Sequence, residues 1–192
     1  MKKSVVLVIF LATKINAFAG DSAGGWQSLF NGTNLAGWAP VNGGVYSVTN
    51  GVIHLEKGKG WLRTDRQYTN FVLEAEWRGL VTNYNSGFFV RAPLEGNPWA
   101  TNIWQVNTKQ TAIGQLLEGS KEAQPSVTPA VPVGQWVKYR IEVRGQEMIL
   151  DVDGQRAWTF DKFDPDPDHG YLGLQAEGRA TEFRNLQIQE LP

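Results

Sequence analysis

Apolar and polar side chains alternate along most of the chain, which is the pattern of strands that bury one face. In the segment 71–77 (FVLEAEW), Phe71 and every second residue after it are apolar, and Glu74 and Glu76 lie between them. The segment 136–145 (WVKYRIEVRG) repeats the alternation. A period of two predicts β-strands, and no sustained helical period is present. The pattern therefore predicts an all-β chain.

Short turn sequences divide the predicted strands into hairpins. Asn50-Gly51 interrupts the segment 45–56, and Asp153-Gly154 interrupts the segment 148–160. Asn-Gly and Asp-Gly supply the left-handed conformations that two-residue hairpin turns require. Many short strands joined in this way predict an antiparallel two-sheet sandwich of the jelly-roll type.

Two further strands and three long loops complete the predicted layout. The strands are expected at 171–178 and 182–191. Segments rich in proline, glycine and asparagine predict loops at 92–102, 121–132 and 161–170. Long loops on a rigid sandwich are common places for recognition.

The first residues have the composition of a secretory signal. Lys2 and Lys3 precede an apolar run from Ser4 to Ala12, and Ala17-Phe18-Ala19 has the A-x-A form of a cleavage site. The apolar run is too short to span a bilayer, so no membrane attachment is expected after its removal. We predict a signal peptide at 1–19, a single domain at 20–192, and a secreted or periplasmic protein.

Charge and cysteine content exclude several functions. Removal of residues 1–19 takes away three of the 18 Lys and Arg side chains and none of the 19 Asp and Glu, which leaves a formal charge of −4. A mildly acidic chain without a basic patch is not expected to bind nucleic acid. The absence of cysteine excludes disulfides, thiol catalysis and thiolate metal sites. No feature of the sequence indicates an oligomeric state.

Motifs for nucleophilic or metal-dependent catalysis are missing. The two histidines, His54 and His169, are not accompanied by a Gly-x-Ser-x-Gly turn. No spacing typical of zinc ligands or of a calcium loop occurs, and the acidic segment 164–168 (DPDPD) is more typical of a solvated turn. We expect no metal and no cofactor.

Paired carboxylates offer a different chemistry. Glu74 and Glu76 lie two residues apart on one predicted strand, so both side chains leave the same face, about 7 Å apart. Two such charges on a partly dry surface favour proton transfer by one of them. The alternative is a solvated sheet face with the glutamates bound to nearby cations. The Glu-x-Asp-x-x-Glu arrangement of jelly-roll glucanases is absent.

Amide side chains and one arginine are the other candidates. Gln105 and Asn107 share one predicted strand face, as do Gln175 and Glu177, and amides suit the hydroxyl groups of sugars. In the segment 85–91 (NSGFFVR), Arg91 is predicted on the same side as Gly87 and Phe89. Arg91 could pair with a carboxylate or bind a substrate oxygen, and Phe89 could stack against a sugar ring.

Six segments follow one another in a recognisable order. They are SLFNGTNLAGW (28–38), NGVIHL (50–55), LRTDRQYTNFVLEAEWR (62–78), NSGFFVR (85–91), GQWVKYRIEVRGQEMILDVDG (134–154) and GYLGLQAEGRATEFRNLQI (170–188). Together they resemble the 3-keto-disaccharide hydrolase domain family, and the likeness extends over residues 26–190.

The resemblance implies a concanavalin A-like jelly roll, secreted or periplasmic, that cleaves glycosides carrying a ketone at carbon 3. Such a ketone acidifies the hydrogen at C2, so a base can remove it while the glycosidic oxygen departs, and water then adds. Arg91 occupies the family's Ser-Gly-x-x-x-Arg position, which implies a contact with an enolate or hydroxyl oxygen. Asn85 belongs to the same matching segment.

Two departures from the family pattern affect the acids and bases. Where members carry Glu-x-Gln followed by Asp, this chain has Ile103-Trp104-Gln105 and then Thr108. Where members carry Leu-Gln-x-His-Gly, this chain has Glu177 in place of the histidine. Proton transfer would then fall to Glu76 or Glu177.

Three functions agree with these observations. The first is an enzyme acting on keto-glycosides, with Glu76, Glu177 and Arg91 catalytic and Asn85, Phe89 and the amides binding substrate on one concave face. The second is a non-catalytic carbohydrate-binding module in which Trp99 and Trp104 stack on sugar rings. The third is a structural sandwich with a solvated sheet face. A carbohydrate is the expected partner for the first two.

Overall fold

The structure is a computed structural model that describes residues 25–127, 130–178 and 180–192. The predicted signal peptide lies outside the described residues. No helix in these ranges is long and apolar enough to cross a membrane. The strands of the described residues are β1 (Gln27–Ser28), β2 (Trp38–Asn42), β3 (Val45–Thr49), β4 (Val52–Lys57), β5 (Lys59–Tyr68), β6 (Phe71–Gly79), β7 (Gly87–Ala92), β8 (Trp104–Lys109), β9 (Ala112–Glu118), β10 (Lys121–Gln124), β11 (Val137–Arg144), β12 (Glu147–Val152), β13 (Gln155–Phe160), β14 (Gly170–Glu177) and β15 (Thr181–Glu190).

The strands form two antiparallel sheets that pack face to face. The eight-stranded sheet has the order β13-β12-β11-β6-β15-β4-β3, and β1 pairs with β15 beside this path. The seven-stranded sheet has the order β10-β9-β8-β7-β14-β5-β2. The predicted antiparallel jelly-roll sandwich is therefore confirmed.

The predicted turns agree with the backbone. Asn50 and Gly51 have φ values of 53° and 76°, and Asp153 and Gly154 have values of 49° and 81°. These left-handed conformations fit a two-residue turn that continues the twist of the flanking strands. The predicted loop at 121–132 is wrong in its first part, because Lys121–Gln124 forms β10 and pairs with β9.

Aromatic rings fill the centre of the sandwich. Tyr139 of β11 packs against Trp77 of β6 with 5.5 Å between ring centroids, and against Phe88 of β7 at 5.8 Å. Phe88 also contacts Phe183 of β15 at 5.7 Å. Side chains from both sheets thus form one continuous core, and tilted or edge-on packing is the geometry that aromatic rings prefer.

The hydroxyl of Tyr139 crosses the sandwich and fixes two strands of the opposite sheet. It accepts a hydrogen bond from the backbone N–H of Gly114 and donates one to the carbonyl of Asn107, each at 2.8 Å. Burial raises the pKa of Tyr139 well above its ordinary value, so the phenol stays protonated and can donate. This single side chain therefore sets the backbone of β8 and β9 relative to the eight-stranded sheet.

A smaller apolar cluster lies on the outer face of the seven-stranded sheet. Residues 93–103, here called the covering loop, place Ala100 and Ile103 over Trp61 and Phe89. The loop is held by a hydrogen bond from Asn42 Nδ2 to the Pro98 carbonyl (2.7 Å) and by one from Gly119 N–H to the Ile103 carbonyl (2.7 Å). Part of this outer sheet face is consequently dry.

We predict that Tyr139→Phe lowers the free energy of unfolding by about 1–3 kcal/mol, because the Gly114 N–H and the Asn107 carbonyl lose their buried partner. Urea denaturation followed by tryptophan fluorescence measures the change. Tyr171→Phe is the matched control, since Tyr171 is only partly buried and should lose less stability. Equal losses in the two variants would contradict the prediction.

Candidate functional site

A groove of about 320 Å³ opens on the outer face of the seven-stranded sheet, beside the covering loop. Its floor is formed by β7, β8, β9 and β14, and the covering loop supplies one wall. The side chains and backbone that line it are Asn85, Trp99, Ile103, Gln105, Asn107, Lys109, Gln115, Leu117, Gly119, Gln175 and Glu177.

Two glutamines form the centre of the groove floor. Gln105 of β8 donates from Nε2 to Oε1 of Gln175 on β14, at 2.9 Å. Gly87 lies between them on β7, and a Cβ there would lie 2.4 Å from the Gln105 Nε2. The glycine therefore leaves the space in which the two amides meet. Because this bond uses the Gln175 oxygen, the Gln175 Nε2 is left as a donor.

A second polar chain continues across the neighbouring strands. Asn107 on β8 donates to Gln115 on β9 at 3.2 Å, and Gln115 in turn donates to Glu122 on β10. Asn107 also accepts a hydrogen bond from the backbone of Lys109. Only 4% of Asn107 is exposed, so this amide is held rigidly beside the glutamine pair.

Glu177 is the carboxylate of the groove. It lies directly opposite Lys59 in the β14–β5 register, and the Lys59 Nζ is 3.6 Å from its Oε1. The other oxygen, Oε2, is buried and has no hydrogen-bond partner among the described residues. A buried carboxylate oxygen without a donor is costly, and a hydrogen bond from a ligand would remove that cost.

The wall of the groove contains Trp99, whose position is fixed from two sides. Its Nε1 donates to the Ala176 carbonyl at 3.1 Å. The Lys59 Nζ lies 6.0 Å from its ring centroid. The indole therefore stands next to Glu177.

Five of the predicted site residues come together in this groove: Asn85, Gln105, Asn107, Gln175 and Glu177. They come from the segment just before β7, from β8 and from β14. The predicted alternation in β8 and β14 is kept, because the extra residue at the β8–β9 register shift lies in β9 and the register shifts of β14 lie between Tyr171 and Gly173. The other four predicted residues lie elsewhere.

Glu76 does not share the predicted face, because β6 belongs to the eight-stranded sheet and its alternate side chains point away from the core. There Glu76 binds Arg184 (Nε to Oε2, 2.8 Å) and Asn185 (Nδ2 to Oε1, 2.8 Å). Arg184 also stacks on Trp136, with its guanidinium 3.9 Å from the ring centroid. The expectation that Glu76 and Glu177 lie on one concave face is wrong, since the core of the sandwich separates them.

The pKa of Glu76 is lowered from its ordinary value of 4.5. Burial alone would raise it, but the hydrogen bonds from Asn185 and Arg184 and the charges of Arg184 and Lys138 outweigh burial. The carboxylate is therefore ionised and satisfied near neutral pH, as in the alternative of a solvated, ion-paired sheet face.

Arg91 also departs from its predicted side, because a bulge interrupts β7. Between the pairs Tyr171↔Ala92 and Gly173↔Phe89, β7 has one residue more than β14, and Arg91 adopts φ 48°. The bulge turns the guanidinium away from the groove and toward the end of the sandwich.

The buried Arg91 guanidinium joins turns from both sheets. Its Nε donates to the Thr69 carbonyl (2.7 Å), Nη1 to the Gly145 carbonyl (3.0 Å) and Nη2 to Asn70 Oδ1 (3.2 Å). It also lies over Phe163, with 5.1 Å to the ring centroid. Burial lowers the pKa of Arg91, an effect that the nearby Asp168 charge opposes. In this position Arg91 links loops and does not reach the groove.

The two predicted stacking rings are both covered. Trp104 points into the core, where it packs against Phe160 and Phe163 at 5.6 and 5.2 Å. Phe89 does face outward as predicted, but the covering loop lies over it and leaves it 0% exposed. Neither ring can stack against a sugar in this conformation. The direction in which the Phe89 side chain leaves its strand could be predicted from alternation. Its burial under the covering loop could not, because that loop follows later in the chain.

Sequence reasoning missed two polar residues of the groove, Lys109 and Gln115, and it missed Lys59, which lies beside Glu177. Gln115 is a polar residue inside the apolar segment 112–117 (AIGQLL), which is a signal that could have identified it. Lys59 has no comparable signal, because its position depends on the pairing of β5 with β14.

The described residues contain no candidate metal site. In these ranges no three histidine or acidic side chains gather closely enough to hold an ion.

Comparison with known proteins gives a family and a set of similar folds. The model of the family described as 3-keto-alpha-glucoside-1,2-lyase-like domain matches residues 25–189. No curated protein sequence matches the chain.

Three solved structures illustrate the fold. A protein of Parabacteroides distasonis, provisionally named a glycosyl hydrolase, is 21% identical with a TM-score of 0.70 (88% of this chain, 94% of that chain). Carbohydrate binding module CBM66 from Bacillus subtilis is 14% identical with a TM-score of 0.68 (80% and 96%). A Bacillus licheniformis beta-glucanase is 15% identical with a TM-score of 0.58 (89% and 99%). At these identities the likeness shows the fold alone.

We predict that Arg91→Met lowers the free energy of unfolding by about 1.5–3 kcal/mol, because the carbonyls of Thr69 and Gly145 and the Asn70 side chain lose a charged donor. Equilibrium denaturation in urea measures the loss. The matched control is Arg156→Met, since Arg156 is half exposed and pairs on the surface with Asp151. A stability loss no larger than that of the control would contradict the linking role of Arg91.

We predict that Glu76→Gln makes unfolding less sensitive to acid. The lowered pKa means that the ionised Glu76 stabilises the fold above the ordinary value of 4.5, and that this contribution is lost as the pH falls through the folded-state pKa. The stability difference between wild type and variant should therefore shrink from pH 6 to pH 3. Glu147→Gln, at an exposed position, serves as the control, and a pH-independent difference for Glu76→Gln would refute the assignment.

Proposed function

Because the chain belongs to the 3-keto-alpha-glucoside-1,2-lyase-like domain family, we propose that it cleaves glycosides whose sugar carries a ketone at C3, in the groove of the seven-stranded sheet. The family assignment agrees with the resemblance found in the sequence. It gives a glycoside-related domain, and the ketone-bearing substrate and the reaction are the proposal.

One observation carries this proposal: Glu177 lines the groove beside the two glutamines, and its buried Oε2 has no partner among the described residues. A structural carboxylate would be expected to have both oxygens hydrogen-bonded, as Glu76 has on the opposite sheet. A general base instead needs an oxygen that can accept a proton from the substrate.

The proposed cleavage is an elimination. The Glu177 carboxylate takes the proton from C2, and the electrons of the C2–H bond form the C2–C3 double bond of an enolate, with the charge on the C3 oxygen. The ketone then forms again as a double bond forms between C1 and C2 and the C1–O bond breaks. The departing oxygen is protonated as it leaves, and the protonated Glu177 is the group in the groove that can supply this proton. Addition of water across the C1–C2 double bond then completes a net hydrolysis.

The glutamine pair supports the negative charge that develops during proton removal. As the C2 proton leaves, charge moves onto the C3 oxygen. Gln175 keeps its Nε2 free for donation because Gln105 occupies its Oε1. A rigid, buried amide donor stabilises such an enolate more than water does, because it is already oriented. The Lys59 ammonium adds a positive charge close to Glu177.

A non-catalytic carbohydrate-binding module is the second candidate. It is favoured by the scarcity of acids in the groove, since Glu177 is the one carboxylate among the described residues that line it. The sequence resemblance also implies that Ile103 stands where members of the family carry a glutamate. A groove lined mainly by amides and one tryptophan could bind sugar hydroxyl groups without cleaving a bond.

The deciding experiment follows sugar release from 3-keto-trehalose and from a 3-keto-glucoside by the purified domain. We predict turnover by the wild type and a loss of at least about 10²-fold in kcat for Glu177→Gln, because the base is removed while shape is kept. Glu76→Gln is the matched control, since it is the same substitution on the opposite sheet, and it should keep wild-type turnover.

The possible outcomes separate the two candidates. Full activity in Glu177→Gln would exclude Glu177 as the base. If the wild type releases no sugar but binds the glycoside saturably in calorimetry, the domain is the binding module.

A further inference from the structure

Trp99 is the one aromatic side chain among the described residues that line the groove, and it is only partly buried.

Besides Trp99, the groove is lined by five amides, one lysine, one glutamate, two aliphatic side chains and a glycine. These polar groups suit hydroxyl and carbonyl oxygens. Only the indole offers a flat apolar surface, which is the kind of surface that the C–H face of a sugar ring covers.

The indole is held in place before any ligand arrives. Its Nε1 donates to the Ala176 carbonyl, and the neighbouring Ala100 is buried in the outer apolar cluster. Asn42 holds the preceding residue through the Pro98 carbonyl. A ring fixed in this way loses little conformational entropy when a ligand stacks on it.

The position of the ring along β14 relates it to the proposed reaction. Ala176, to which the indole is bonded, separates Gln175 from Glu177, and these two side chains leave the same face about 7 Å apart. The Lys59 Nζ is near both the Glu177 carboxylate and the Trp99 ring. The indole therefore lies at the Glu177 end of the groove, whereas the glutamine pair lies farther in.

From this order we propose that Trp99 is the platform for the leaving part of the glycoside. The keto-sugar binds at Gln105 and Gln175, Glu177 acts at the bond between the two units, and the departing sugar ring stacks on the indole. This inference rests on the proposed function and deepens it. It makes Trp99 a specificity-determining residue that favours a sugar as leaving group over a small alcohol.

The test compares two substrates, 3-keto-trehalose and methyl 3-keto-α-glucoside, which differ in the leaving group. For Trp99→Ala we expect kcat/KM on the disaccharide to fall about tenfold, mainly through KM, because one stacking contact is lost. The methyl glycoside should change by less than about twofold. Trp99→Phe keeps an aromatic surface and should retain most of the preference for the disaccharide.

Two further variants control for folding. Trp26→Ala removes an exposed tryptophan outside the groove and should leave both substrates unaffected. Trp99→Leu keeps apolar volume without an aromatic ring, so it tests stacking even if Trp99→Ala does not fold. An equal loss on both substrates in Trp99→Leu would overturn the proposal.

Failure of this inference can be told from failure of the proposed function. If the wild type cleaves both substrates and Trp99→Leu keeps the preference for the disaccharide, only the role of Trp99 is wrong. If the wild type cleaves neither, the proposed reaction is wrong, and calorimetry with trehalose tests the platform directly. A similar affinity for trehalose in wild type and Trp99→Leu would then refute it.

Discussion

The hydrogen bonds of the Tyr139 hydroxyl are the constraint on which the groove depends. Tyr139 stands on the eight-stranded sheet, but its hydroxyl binds the backbone of Asn107 and Gly114 on the opposite sheet. A phenol in an aromatic core needs partners of this kind, because a buried hydroxyl without them is costly. The aromatic packing around Tyr139 thereby fixes the strands that carry Asn107 and Gln115 into the groove.

The polar groups on the two outer faces of the sandwich are satisfied in different ways. On the eight-stranded sheet, glutamates and arginines pair with each other, and the satisfied carboxylate of Glu76 is an example. On the seven-stranded sheet, the covering loop buries Phe89 and Trp61, and the adjacent glutamines are bonded to each other in a nearly dry place. Glu177 also lies there, and one of its carboxylate oxygens is buried without a partner among the described residues. This contrast is why the proposed chemistry belongs to the second face.

Much of the fold and part of the site could be predicted because alternation reports local geometry. The side chains of Gln105, Asn107, Gln175 and Glu177 leave their strands on the predicted side, and the two hairpin turns have the predicted conformation. The predicted side of Arg91 was wrong for a local reason that alternation does not reveal, since one extra residue in β7 reverses the direction of the Arg91 side chain. The prediction that Glu76 shares a face with Glu177 was wrong for a global reason, because alternation does not tell which of the two sheets a strand joins.

The sequence by itself determined that the chain is a sandwich of short antiparallel strands, and it determined which side chains share a strand face. It could do so because a strand repeats every two residues and turns need particular residues. The tertiary structure alone decided which strands lie side by side, that the covering loop hides Phe89, and that Trp99 and Lys59 meet Glu177. Those contacts join residues far apart in the chain, and their positions follow from packing and strand order.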